Sequence, residues 1–346
     1  MKEKKTTPIT IKDLAKELNL SPSTISRALS DHPKISQATK KLVSDKAEQS
    51  GFRLNAIASS FRSKKTKSIG IIAPRIDIDF HSRVISGIED YAYKSGYHVI
   101  IFQSKDSYKM EKEIIQNLQN MMVEGMIICL AMETKNFDHL KKLIKTKLPV
   151  VFYDRTPETF DTNKITINDF ESAFNATEHL IKIGCKNIVH IAGNQSTGIF
   201  RARLEGYKAA LKSYHLPLRD DHIFVTHSLS YQEGLTCAEK ILELNPLPDG
   251  VFCANDYTAA SMVKVLNKRK INVPEQVAIV GFSDYPIAQI IEPSLTTIND
   301  RAVQMGEAAA KMLIQHIQDQ DFDIIDHQVI TLKTELIVRE SSTRKA

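Results

Sequence analysis

From Ser68 onward the chain repeats one pattern: an apolar run of strand length, then a stretch whose apolar residues recur at helical spacing. The runs are SIGIIAP (68–74), HVIIFQ (98–103), GMIICL (125–130), PVVFYD (149–154), KITIN (164–168), NIVHIAG (187–193), HIFVT (222–226), GVFCAN (250–255) and VAIVGF (277–282). Amphipathic stretches lie near 80–95, 109–122, 136–145, 170–182, 199–213, 230–244, 256–269 and 301–318. Near-continuous apolar strands alternating with helices predict parallel sheets covered on both faces. About nine such strands are many for one sheet. The pattern therefore predicts two doubly wound sheets of four to six strands, one before about residue 168 and one after. The closing segment HQVITLKTELIVRES (327–341) reads as strand, and its pattern assigns it to neither half.

Residues 9–51 read as three short helices. Thr10 can cap the first, with Asp13 in its first turn favouring the positive helix end. Ile11, Leu14, Ala15 and Leu18 form its apolar stripe. Asn19 and Leu20 make a short turn, and Ser21-Pro22 gives an N-cap followed by proline at the first helical position. This second helix runs to about Leu29. Ile25, Ala28 and Leu29 face inward; Pro22, Ser23, Ser26 and Arg27 share the opposite face. Ser36 begins a third helix that ends at Gly51. Beyond it, Asn55 can cap only one or two turns. So short a helix is marginal alone in water, which predicts a linker that orders with a partner.

The 346 residues predict two or three domains at ~100–200 residues each. A composition 42% hydrophobic and 25% charged excludes a disordered, collagen-like or disulfide-scaffold chain. The net charge of +5 hides an asymmetry. Residues 1–67 carry 15 Lys/Arg against 6 Asp/Glu, a charge of +9, and the remainder carries −4. A strongly basic head on a mildly acidic body suggests polyanion binding. The cluster of Lys40, Lys41, Lys64, Lys65 and Lys67 reads as solvated surface with some phosphate contact.

No run approaches the ~18 apolar residues that span a bilayer, so no membrane partner is expected. The basic start MKEKKTTPIT has no apolar stretch behind it, so no secretory leader and a cytoplasmic location are expected. Cys129, Cys185, Cys237 and Cys253 lie far apart with no Cys-x-x-Cys pair, as spare thiols in a reducing compartment do. The 11 His are scattered, so no metal site is expected. No cofactor or catalytic signature stands either. No G-x-G-x-x-G follows the first strand, and H-E-x-x-H and G-x-S-x-G are absent. Gly193 and Gly198 have P-loop spacing, but Ile199-Phe200 follow where Lys-Ser/Thr is needed. These glycines read instead as a strand-to-helix turn that brings backbone close to a ligand.

The segment ITIKDLAKELNLSPSTISRALSDHPKISQATKKLVSDKAEQSGFRLNAIASSFRSKKTKSIGIIAP (9–74) resembles the head and hinge of the lactose/galactose-repressor (LacI/GalR) family. The likeness continues in VVFYDRT, ATEHLIKIGCKNIVHIAG, RARLEGY, VFCANDYTAAS, VPEQVAIVGFSD and PSLTTI. The resemblance implies an all-α helix-turn-helix head (1–54), a hinge (55–67) and an α/β periplasmic-binding-protein-like body (68–346) that binds effector and dimerises. Lobe 1 is expected at about 68–167 plus 297–328, and lobe 2 at about 168–296 plus 329–341. The chain would cross between lobes near 167, 296 and 328.

A helix-turn-helix places its second helix in the major groove. The resemblance puts Pro22, Ser23 and Arg27 at base-reading positions, with Thr10, Ser21, Thr24 and Ser26 as further DNA contacts. Arg27 can donate two hydrogen bonds to guanine. The serines can donate to phosphate or base, and Pro22 offers only apolar contact. In the hinge the resemblance implies contacts from Asn55, Ala58, Phe61 and Arg62. Phe61 stands where the family carries a minor-groove wedge, usually leucine.

Two α/β lobes bind ligands at the carboxyl ends of their strands. The candidates there are Phe80 after the first strand, Asp154 and Arg155 after VVFYD, and Arg203 after the Gly193 turn. Asn255 and Asp256 follow VFCA, and Ser283 and Asp284 follow IVGF. The resemblance places Asp154, Arg203 and Asn255 at effector contacts, and Ser283 where many members carry a ligand-binding Asp. Asp256 reads equally as a helix N-cap and Asp284 as a turn residue. Arg203→Ala is expected to abolish the ligand response with the fold intact.

The expected function is a ligand-responsive transcriptional regulator, a repressor of carbohydrate-related genes. Its partners are a pseudo-palindromic double-stranded operator, a sugar or sugar-derivative effector, and a second copy in a homodimer. VRESSTRKA carries no apolar heptads, which favours a dimer over a tetramer. A solute-binding protein without a DNA role is the alternative; it would have no use for residues 1–63. A cleft enzyme would need a nucleophile–base pair or metal cluster, and neither is evident.

Overall fold

The computed structural model describes residues 9–52, 66–319 and 327–344. The chain divides into two compact units, Met1–Thr66 and Lys67–Ala346.

The first unit holds α1 (Ile11–Glu17), α2 (Pro22–Leu29) and α3 (Gln37–Gln49). Each start is fixed by a side chain that satisfies an orphan backbone N–H. Thr10 Oγ1 accepts from Asp13 N–H, and the Asp13 carboxylate accepts from Thr10 N–H at 2.8 Å, a reciprocal capping box. Ser21 accepts from Thr24 N–H at 3.1 Å, and Ser36 from Thr39 N–H at 3.2 Å. Leu14, Ala15, Ile25, Ala28, Val43 and Ala47 form the small buried core.

The second unit follows the predicted alternation: β1 (Ser68–Ala73), α4 (Asp79–Lys94), β2 (His98–Gln103), α5 (Tyr108–Asn120), β3 (Gly125–Ile128), α6 (Asp138–Ile144), β4 (Val150–Tyr153) and β5 (Lys164–Ile167). Next come α7 (Asp169–Lys182), β6 (Ile188–Ala192), α8 (Gly198–Ser213), β7 (Ile223–Val225), α9 (Tyr231–Leu242), β8 (Gly250–Cys253), α10 (Asp256–Lys268), β9 (Ala278–Phe282) and α11 (Ile287–Ile290). The chain closes with β10 (Thr296–Asn299), α12 (Ala302–Gln318), β11 (Val329–Leu332) and β12 (Glu335–Ile337).

The described residues form two six-stranded sheets, ordered β11-β5-β4-β3-β1-β2 and β12-β10-β9-β8-β6-β7. Every pairing is parallel except β10 with β12. Helix α12 packs on α4 through reciprocal glycines. A methyl at Gly87 would overlap the Val303 carbonyl, and one at Gly306 the Val84 carbonyl.

The pairing corrects two expected crossings. β10 joins the second sheet, with Thr297 opposite Gly281, and β11 joins the first, with Ile330 opposite Ile165. The chain therefore crosses near Asp300 and again between Leu332 and Glu335, not at 296 and 328. The reason is hydroxyl chemistry. Thr296 and Thr297 do not read as a buried strand, yet both are fully buried. Thr296 Oγ1 donates to Arg339 O at 3.0 Å, and Thr297 Oγ1 to the Asp256 carboxylate at 2.6 Å. Paired hydroxyls make burial affordable where the apolar pattern is missing.

Candidate functional site

On α2, the sequence that sets the helix start also exposes the face expected to read DNA. Thr10, Ser21, Pro22, Ser23 and Arg27 are exposed, and Thr24 and Ser26 are half-buried. Burial of Ile25 and Ala28 turns Arg27 to solvent. Among the described residues no carboxylate pairs with the Arg27 guanidinium, so its donors stand available for a base edge. The Ser21 hydroxyl lies 2.7 Å from that of Ser23 and 2.9 Å from that of Thr24. Ser21 and Thr24 thus contribute first to the helix start. Lys40 is ion-paired with Asp31 at 2.7 Å, and Lys67 lies over the Tyr97 ring. Asn55, Ala58, Phe61, Arg62, Lys64 and Lys65 lie outside the described residues.

In the second unit, loops at the carboxyl ends of strands from both sheets enclose a small cavity of ≈ 80 Å³. Phe80, Asp154, Arg155, Arg203, Asn255 and Ser283 all line it. It adjoins a wider space of ≈ 650 Å³, with which it shares Met132, Asp154, Arg155 and Ile199.

Asp154 leaves β4 in the left-handed region (φ 57°). Its Oδ2 accepts from the Cys129 thiol, 3.7 Å away, and lies 4.0 Å from Arg155 Nε. Burial pushes its carboxyl up, and Arg155 pulls it back. Arg155 is itself held by Asp106 at 2.5 Å. Arg203 is buried. Its Nε donates to Asp169 at 2.8 Å, its Nη1 to Ala254 O at 2.8 Å, and its guanidinium lies 3.6 Å from the Phe282 ring centre. Burial pushes the Asp169 carboxyl up to about 6 against the pull of Arg203.

Three readings change. Asn255, not Asp256, caps α10: its Oδ1 accepts from Thr258 N–H at 2.9 Å and its Nδ2 donates to Leu229 O at 2.9 Å. Asn255 borders the cavity with its amide already engaged. Asp256 is fully buried and accepts from Tyr285 N–H and Thr297 Oγ1. Burial pushes it up to about 8. Asp284 does not line either cavity; its carboxylate accepts from Arg339 at 2.7 Å, because the loop after β9 turns it toward the C-terminal segment.

The sequence reading missed His81, Asp300, Asp169 and Arg83. Asp169 and His81 fall at helix beginnings, where polar residues are ordinary, and Asp300 follows the strand that the apolar pattern did not reveal. Arg83 on α4 donates to Ser283 O at 2.5 Å and to Asp284 O and Asp300 Oδ1 at 3.3 Å each. Tyr257 on α10 donates to Asp79 on α4 at 2.5 Å. These contacts tie the lobes at the cleft. Burial drives His81 well below its usual range, so it is neutral at pH 7. Among the described residues, His81 Nδ1, Arg155 Nε and Asp300 Oδ2 are buried without hydrogen-bond partners, and all three residues line the small cavity. Unsatisfied buried polar atoms converging on one cavity mark a place shaped for a polar ligand.

Residues 10–55 match the description "Bacterial regulatory proteins, lacI family", and residues 177–342 match "Periplasmic binding protein-like domain". The chain is 30% identical over 335 residues to catabolite control protein A of Priestia megaterium, covering 96% of this chain and 99% of that one. Its fold superposes on the lac repressor dimer bound to operator and the anti-inducer ONPF, with a TM-score of 0.87 at 21% identity, covering 98% and 100% of the two chains. A complex of the transcriptional regulator CelR with cellobiose gives a TM-score of 0.73 at 22% identity, covering 96% and 99%.

Proposed function

Because the chain belongs to the lacI family of bacterial regulatory proteins, it is a ligand-responsive DNA-binding regulator and not an enzyme, and we propose how its own residues do that work. Its partners are operator DNA, a second copy and a small-molecule effector. Among the described residues no helix is long and apolar enough to cross a membrane, in keeping with action on DNA in the cytoplasm.

The protein represses by reading a pseudo-palindromic operator as a homodimer. Arg27 reads a guanine, with Pro22, Ser23 and Ser26 beside it and Thr10, Ser21 and Thr24 near the phosphates. Phe61 wedges the minor groove, with Asn55, Ala58 and Arg62 around it. The effector is a neutral, hydroxyl-rich sugar held between Phe80, Asp154, Arg155, Arg203 and Ser283. The observation that carries this reading is the small cavity itself, polar and fed by strand ends of both sheets. Its arginines are already neutralised: Arg75 by Asp77, Arg155 by Asp106 and Arg203 by Asp169. Among the described lining residues no arginine lacks a carboxylate partner to balance a phosphate, whereas Asp154, held only by the Cys129 thiol and a 4.0 Å approach of Arg155, has oxygen lone pairs to accept from hydroxyls. Binding draws on both lobes and so changes their angle. A coupling of ~1–3 kcal/mol suffices to change operator occupancy roughly 5- to 150-fold.

A gel shift against a library of palindromic duplexes, repeated across salt concentrations, tests the DNA role. Binding is expected to weaken steeply with salt. Arg27→Ala should cost ~1–3 kcal/mol on the selected site and little on random DNA. Phe61→Ala should weaken the selected site while effector binding by calorimetry stays unchanged. Salt-insensitive binding, or wild-type affinity in both variants, would overturn the reading.

A further inference from the structure

We propose that Glu124 is a positioning residue for operator binding: its carboxylate clamps the backbone of Lys67, the residue at which the chain enters the second unit. The inference rests on the operator-reading role above and concerns the body of the protein away from the effector cavity.

Lys67 holds a strained conformation. Its φ of 50° lies in the left-handed region, where a residue with a Cβ crowds its own carbonyl. Such an outlier persists when its surroundings over-determine it. Three ties do so here. The Lys67 N–H donates to Glu124 Oε1 at 2.5 Å, across 57 positions of sequence. The Lys67 carbonyl accepts from His98 N–H at 2.7 Å. The ammonium lies 4.3 Å from the centre of the buried Tyr97 ring. Glu124 is anchored in turn, its own N–H donating to Ser68 O at 2.8 Å. Both backbone groups of Lys67 and its charge are therefore engaged within the second unit.

The clamp closes over the amino ends of three adjacent strands. Lys67 precedes β1, Tyr97 precedes β2 with His98 its first residue, and Glu124 precedes β3. The carboxyl ends of the same strands lead to Arg75, Asp106 and Met132 on the wall of the small cavity. Between the two ends β1 is buried from Ile69 to Ala73. A close-packed strand ~20 Å long passes a displacement along rather than absorbing it. Lys67 thus moves with lobe 1 as one body, and the direction in which the backbone departs toward Thr66 follows from the φ that Glu124 holds. Without that acceptor Lys67 relaxes among several conformations. Only a fraction of them suits the operator, and apparent affinity falls by that fraction.

The test is a gel shift of the full chain on a palindromic duplex selected by wild type and on a random duplex. Glu124→Ala is expected to bind the selected duplex roughly 10-fold more weakly, the size of a lost hydrogen bond to a charged group, with affinity for the random duplex unchanged. Glu124→Gln keeps an acceptor oxygen and should recover most of the loss. Lys67→Gly keeps the N–H and takes a positive φ without strain, so it should stay close to wild type. Lys67→Pro has no N–H and a φ locked negative, so it should fall as far as Glu124→Ala, and the double variant no further. Unfolding midpoints should match wild type throughout, since the clamp lies at the rim of the sheet. Wild-type affinity in Glu124→Ala and Lys67→Pro overturns the clamp, and so do losses that track a falling midpoint. Equal weakening of Lys67→Gly on both duplexes would assign the effect to the ammonium and overturn it as well. A wild type that selects no palindrome removes the operator reading, and the clamp with it.

Discussion

Arg203→Ala is expected to abolish the response to effector and also to destabilise the Lys67–Ala346 unit by about 3–5 kcal/mol. The second half of that result departs from the expectation that the variant keeps its fold intact. The sequence shows a long cation beside a glycine-flanked turn; the structure shows one arm of a buried ion pair. Arg203 and Asp169 are 6% and 7% exposed and 2.8 Å apart. Removing the cation strands a carboxylate already pushed up to about 6 by burial, and also orphans the Ala254 carbonyl.

The pH dependence has a fixed sign. A carboxyl whose folded pKa exceeds its unfolded value of ~3.9 gives stability that is present at low pH and lost as pH rises to the folded pKa. In wild type that loss is complete near pH 6. Without Arg203 the folded pKa rises further, so the loss continues above pH 6 and the deficit of the variant widens toward alkaline pH. Urea denaturation at pH 5.5 and 8 would show it. Asp169→Asn in the same chain should recover much of the stability without restoring the response. A deficit below about 1 kcal/mol at pH 8 would mean that the pair is not energetically buried.

Ile25→Ala should remove operator binding altogether while leaving effector binding unchanged. Ile25 is fully buried with Leu14 and Val43 in a core of six buried residues among those described. Truncating a buried isoleucine costs ~2–5 kcal/mol. A unit of this size has only a few kcal/mol to lose, at roughly 0.05–0.15 kcal/mol per residue. The head therefore unfolds, and with it the α2 face. This differs from Arg27→Ala, which keeps the head folded and loses only site preference. Hydrogen exchange read by mass spectrometry separates the two. In Ile25→Ala, amides of 11–49 exchange fast while those of the second unit stay protected. Protected head amides in that variant would show that the small core does not carry the fold.

Much of the architecture was legible because its signals are local. Ser21-Pro22 marks a helix start wherever it occurs, and VVFYD or VAIVGF reads as a buried strand from composition alone. Six of the seven residues expected to bind effector do border the small cavity, because strand ends are where two α/β lobes face each other. The illegible parts share a different cause. Thr296 and Thr297 look polar and lie buried, since their hydroxyls are spent on partners about 40 residues away. Asn255 borders the cavity and at the same time caps a helix; Asp284, an effector candidate or a turn residue by sequence, holds Arg339 instead.

By itself, the sequence determined the period of each element, its caps, the basic head and the sensor-like body. Tertiary structure alone decided which strand joins which sheet, which arginines are neutralised, and which carboxylate oxygen is left unfilled. Periods and caps depend on residues three or four positions apart. The satisfaction of a buried polar group depends on whichever chain segment the sheet register brings within 3 Å, and at Asp300 that register leaves Oδ2 without a hydrogen-bond partner among the described residues.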